Sequence, residues 1–100
     1  MEVRITAMHG SLSGGAWYVG RVESYHFEAL VFAESSQYGI EGGQVSKLYL
    51  WAGPKKKRGK PLAVYERGWE LEPEEAMRPV IEGLVEELSR RAREARQAEE

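Results

Sequence analysis

The chain contains no cysteine, no aspartate and no asparagine. The first absence removes disulfides, thiol nucleophiles and every cysteine-based zinc site. The lack of aspartate means that a Ser-His-Asp triad cannot be built in its usual form, although glutamate could stand in for the acid. Asp and Asn also normally supply turns and helix caps. Here all sixteen acids are glutamate and nine of the fourteen bases are arginine, a balance that fits a thermophilic or GC-rich source where thermolabile Asn is disfavoured. No apolar run approaches the ~18 residues that a membrane-spanning helix needs. The opening Met1-Glu2-Val3-Arg4 reads as alternating strand rather than as a leader peptide. A cytoplasmic protein without membrane contact is therefore expected.

The hundred residues that remain are ordinary for one globular domain. A chain of this length buries roughly two-thirds of its unfolded surface without help from metal or disulfide, and 42% hydrophobic content is too apolar for disorder. Residues 3–8 alternate Val3, Ile5 and Ala7 against Arg4, Thr6 and Met8, the period of a half-buried strand. A Gly/Ser loop over 9–15 and a second strand over 16–22 follow. Residues 25–33 place Tyr25, Phe27, Ala29 and Val31 opposite His26, Glu28, Leu30 and Phe32, which predicts a central strand. After a glycine-bearing loop at 34–44, residues 45–52 and 62–67 read as a hairpin with a long turn bounded by Pro54 and Pro61. Its first strand is expected to put Val45, Tyr49 and Trp51 on one side and Leu48 and Leu50 on the other.

From Met77 the period becomes 3.6. Met77, Val80, Ile81, Leu84, Val85 and Leu88 form one apolar stripe on a helix. Pro79 would cost ~3 kcal/mol inside that helix, so either a kink or a short turn over 73–77 is expected before it. The predicted fold class is α+β, a mostly antiparallel sheet of about five strands followed by one C-terminal amphipathic helix. Residues 1–88 form the domain and 89–100 a charged helical extension or frayed tail. The stripe is about 18 Å long, whereas five strands span more than ~20 Å. One helix cannot cover that sheet, so either the sheet curls around its own side chains or a second subunit covers the remainder. A homo-oligomer, with a dimer favoured, is the expectation.

Chemistry-bearing motifs are few. The run Gly53-Pro54-Lys55-Lys56-Lys57-Arg58-Gly59-Lys60-Pro61 looks like a phosphate loop but has five residues between its glycines, Pro61 where Ser or Thr is needed, and a strand after it. Lys55, Lys56, Lys57, Arg58 and Lys60 could instead form a basic finger on nucleic acid, with Trp51, Tyr49 and Tyr65 stacking on bases. The competing reading is a solvated hairpin tip with cross-strand aromatic pairs. Residues 66–87 carry eight glutamates against two arginines, which would repel a polyanion. His26 and Glu28 share a strand face and could bind metal only if His9 lay on a neighbouring strand. No catalytic residue, metal or cofactor is assigned. The expected role is a non-enzymatic protein-interaction or self-association module; the alternative is weak nucleic-acid binding by the loop at 55–60.

Two blocks carry a resemblance. Tyr38-Gly39-Ile40-Glu41-Gly42-Gly43-Gln44-Val45-Ser46-Lys47-Leu48 and Tyr65-Glu66-Arg67-Gly68-Trp69-Glu70-Leu71-Glu72-Pro73 resemble a family of small uncharacterised proteins from phages and mobile elements of Gram-positive bacteria. The likeness spans roughly residues 25–88. In the second block the family usually has Asp where this chain has Glu66 and Glu70. The resemblance implies a genomic setting and no activity. Physically, the second block reads as a strand-to-helix junction in which Arg67 pairs with a neighbouring glutamate, Gly68 permits the reversal and Trp69 locks the helix onto the sheet. In the first block Lys47 stands out as a lysine alternating with Val45 and Tyr49 on an apolar face.

Overall fold

Alternation at the N-terminus produces β1 (Val3–Gly10), two residues longer than its apolar pattern because Ala16 and Trp17 of β2 (Ala16–Val22) offer pairing partners to Gly10 and His9. The expected 9–15 loop shrinks to a tight turn, closed by the Ser11 N–H on the Gly15 carbonyl at 2.9 Å. Glu23, at φ 54°, and Ser24 join β2 to β3 (Tyr25–Val31), which pairs with β4 (Val45–Ala52). A hairpin leads to β5 (Ala63–Glu66) and then to β6 (Trp69–Leu71). The computed structural model describes residues 1–53 and 59–99. All neighbours pair antiparallel in the order β1-β2-β3-β4-β5-β6. The sheet thus has six strands. The sixth lies in the stretch read from sequence as a junction.

Register sorts the side chains into two faces. One carries the cross-strand rows Ile5–Gly20–Phe27–Leu50–Ala63 and Met8–Tyr18–Ala29–Leu48–Tyr65–Trp69. Phe27, Ala29, Leu48, Leu50 and Ala63 are completely buried there. The other carries Trp17–Leu30–Lys47–Glu66, Val19–Glu28–Tyr49–Val64–Leu71 and Arg21–His26–Trp51. A register shift between Leu30 and Val31 pairs Val31 with Val45 and turns Val45 into the core. Val45 therefore parts from Tyr49 and Trp51, contrary to simple alternation, because a bulge adds one residue to the count.

The 3.6 period yields α1 (Arg78–Glu99), preceded by a 3₁₀ turn over Glu75–Met77. Pro79 falls in the first helical turn, where its missing N–H leaves no bond unmade. Ile81, Leu84 and Leu88 point into the core and pack over β3 and β4. Ala92 continues the stripe one turn beyond Leu88 and is also buried. Among the described residues no helix is long and apolar enough to cross a membrane.

The outer side of the helix carries an ion-pair ladder. Glu87 accepts from Arg90 and from the Arg91 Nε, the latter at 2.7 Å, and Arg90 also reaches Glu94 at 2.6 Å. These bonds, Arg90 first, hold the Glu87 carboxyl below its ordinary value near 4.5. A carboxyl depressed in the folded state stabilises it fully above the unfolded value, and that contribution disappears as pH falls through the folded value. Exposed pairs contribute little. Glu87→Gln is therefore expected to lower the thermal midpoint slightly at pH 7 and to match the parent protein in strong acid. A difference that persisted or grew in acid would contradict this linkage.

Candidate functional site on the uncovered sheet face

α1 occupies one face of the sheet, and three aromatic side chains stand close together on the opposite face. Trp17, Tyr49 and Trp51 come from β2 and β4 and form a ladder across β3. The Trp17 and Tyr49 rings are 6.3 Å apart, Tyr49 and Trp51 5.9 Å, and both pairs are inclined by 22°. The His26 ring lies 5.9 Å from Trp51 at 44°. Trp51, His26, Val19 and Leu30 are buried, whereas Trp17 and Tyr49 are half-exposed. Such offset stacking suits the ring quadrupoles and fixes the ladder as a stiff surface.

The Tyr49 hydroxyl donates to Glu66 Oε2. Burial first, then this bond and the charges of Glu66, Glu70 and Glu28 push the phenol well above its ordinary value of 10. It stays protonated at physiological pH and donates to the Glu66 carboxylate.

The expected partners of His26 separate. Glu28 shares its face, but His9 lies on β1 beside Trp17, two strands away and at the far end. Among the described residues no three His, Cys, Asp or Glu side chains form a group able to hold a metal ion. Tyr65, grouped from sequence with Tyr49 and Trp51 as an aromatic able to stack on bases, faces the helix instead. Leu48, not Tyr49, is its partner across β4 and β5. Alternation relates residues only within one strand, whereas register relates strands. Lys55, Lys56, Lys57 and Arg58 lie outside the described residues; Lys60 is exposed at the base of the turn.

The junction residues take different places. Arg67, not Gly68, adopts the left-handed conformation, at φ 63°. Its N–H donates to the Ser46 carbonyl at 3.0 Å. The expected ion pair with a neighbouring glutamate is replaced by a cation–π contact, the guanidinium carbon standing 4.2 Å from the centre of the Tyr38 ring. Trp69 meets Tyr65 edge-on at 5.1 Å and lines a cleft with Ile81 and Val85 of α1. Lys47 sits on the outer face between Leu30 and Glu66.

The two sequence blocks also converge. The Tyr65 hydroxyl donates to the Tyr38 carbonyl at 2.9 Å, and Tyr38, Ser46, Lys47 and Arg67 line a common groove at the end of the outer face. The family model described as a domain of unknown function (DUF7678) matches residues 16–89. The chain belongs to this family. The matched segment runs from the first residue of β2 into the middle of α1, so it contains the aromatic ladder and both blocks and leaves out β1. No curated protein and no solved structure matches the chain.

Sequence reasoning singled out Tyr49, Trp51 and Lys47 but missed Trp17 and Tyr38 as members of these surfaces. The i, i+2 spacing of Tyr49 and Trp51 signals a shared face. Nothing local signals that Trp17, two strands away, completes it.

Proposed function

We propose that the protein is a non-enzymatic interaction module that associates with a second copy of itself through the sheet face opposite α1. The observation that carries this reading is the Trp17–Tyr49–Trp51 ladder on the face that the helix leaves uncovered. Aromatic side chains dominate the centres of protein interfaces because they bury much area at small entropic cost. The same face carries both signs of charge, Arg21 and Lys47 against Glu28 and Glu66. An isologous contact, in which one surface meets itself, is favoured by such mixed charge, because opposite signs can face each other across the two-fold axis. Tyr49 and Glu66 are committed to each other, which supports binding rather than acid–base chemistry.

In this reading the chain acts in the cytoplasm as a small assembling protein, in keeping with its likeness to phage and mobile-element proteins. The nucleic-acid alternative, through Lys55, Lys56, Lys57, Arg58 and Lys60, is less favoured because Glu28, Glu66 and Glu70 would set negative charge beside any polyanion stacked on the ladder.

Sedimentation and light scattering over a concentration series test the proposal. The expected mass is about twice the 11.3 kDa of one chain at micromolar concentration, falling to one chain in Trp17→Glu. Trp17 is half-exposed, so this variant should keep the fold, checked by circular dichroism. A parent protein that remained monomeric throughout the series would refute self-association.

A further inference from the structure

The groove where the two blocks meet is separate from the aromatic ladder and has the features of a small-molecule site. It is an open groove of about 670 Å³ between the loop bearing Ser36 and Tyr38, the β1–β2 turn and the Lys47–Arg67 edge. Small organic ligands typically occupy roughly 300–1,000 Å³, in clefts with an apolar floor and a few placed polar groups. Leu30, Phe32 and Ala33 supply apolar lining here, with Leu30 buried.

The charge around the groove is unequal. Its lining holds one carboxylate, Glu34, and that carboxylate is bound by Arg96 from the end of α1. Lys47 and Arg67 also line it, and among the described residues neither forms an ion pair. The groove therefore presents two cations that no carboxylate of its lining neutralises, Glu66 lying opposite Lys47 outside the lining.

Arg67 is held in place for such a task. Its backbone sits at φ 63°, a conformation uncommon for a residue with a side chain, and is tied to Ser46. Its guanidinium lies over Tyr38, whose own position is fixed by Tyr65 and by its N–H on Ser36 Oγ at 3.1 Å. A guanidinium resting on an aromatic face keeps its N–H edge free to grip a planar acceptor. The loop wall is closed as tightly. A Cβ on Gly39 would stand 2.0 Å from the Gly43 carbonyl oxygen, so the chain passes there as only glycine allows.

We infer that this groove binds a small amphiphilic carboxylate, its anionic head held by Lys47 and Arg67 and its apolar body lying on Leu30 and Phe32. A free inorganic anion would fill a small part of the volume and leave the apolar floor uncovered.

The test is titration of the ¹⁵N-labelled chain with hexanoate, hexylamine and inorganic phosphate, followed by amide chemical shifts. Hexanoate should give saturable shifts at Ser36, Tyr38, Ser46, Lys47 and Arg67, with a dissociation constant in roughly the millimolar range. Hexylamine should give none, and phosphate should bind about tenfold more weakly. Lys47→Gln and Arg67→Asn should each weaken hexanoate about tenfold, the loss of one charge-assisted hydrogen bond. Asparagine tolerates the left-handed conformation, and Lys47→Gln alone decides the matter if Arg67→Asn lowers stability. No saturable hexanoate shifts, equal binding of hexylamine, phosphate binding as tightly as hexanoate, or variants that bind normally would each overturn the assignment.

Discussion

Gly20→Ala is expected to displace β1 from the sheet and to destabilise the protein by about 3 kcal/mol or more. A Cβ built at Gly20 would stand 2.0 Å from the Arg4 carbonyl oxygen, 3.0 Å from its carbon and 3.1 Å from Ile5 Cα. All three atoms are backbone, so no side-chain rotation relieves the clash. The close approach occurs where the β1–β2 register is about to shift, between Ile5 and Ala7. There β1 bends across its neighbour, as strand glycines commonly permit. For a domain of this size the loss corresponds to a fall in thermal midpoint of more than about 10 °C. Amide exchange should show residues 3–10 losing protection first. A midpoint within about 3 °C of the parent's would mean that the close approach is not needed.

Leu84→Ala should cost a similar amount, about 3 kcal/mol within the usual range of roughly 2–5 for a buried leucine. Leu84 is completely buried at the centre of the helix stripe, among Phe27, Leu48 and Leu50. The lost methyl groups leave a cavity that a sheet on one side and a helix backbone on the other cannot close. The control is Glu82→Ala, two positions away and exposed, which should stay within about 0.5 kcal/mol of the parent. Urea unfolding measures both, with the Leu84 variant's midpoint lowered by about 2 M for a typical slope. Equal midpoints for the two variants would mean that the helix does not seal the core.

The helix was legible because its signal is local. Met77, Ile81, Leu84 and Leu88 mark one stripe at their own spacing, and burial follows that stripe. β3 was legible for the same reason, its branched and aromatic residues crowding both faces of a central strand. β6 was not. Trp69, Glu70 and Leu71 alternate over three residues only, too short a run to mark a strand, and hydrogen bonding to β5 makes them one.

The outer face was half legible. Tyr49 and Trp51 announce each other within one strand, but placing Tyr65 with them required a register that no single strand contains. Val45 failed through a bulge, which shifts every parity beyond it. At the second block the reversal was assigned to Gly68 on residue type, yet Arg67 takes the left-handed conformation. The bond to Ser46 and the ring of Tyr38 hold it there, and both come from the earlier segment 38–46.

Spatial order along the sheet equals order along the chain. Each strand thus finds its mate in the strand just made, and the longest loop that has to close before a contact is gained is the one over residues 32–44. Chains built this way cross a low entropic barrier and fold quickly for an all-antiparallel design. On the ribosome the strands can zip up one hairpin at a time, and the helix, emerging after them, caps an assembled layer.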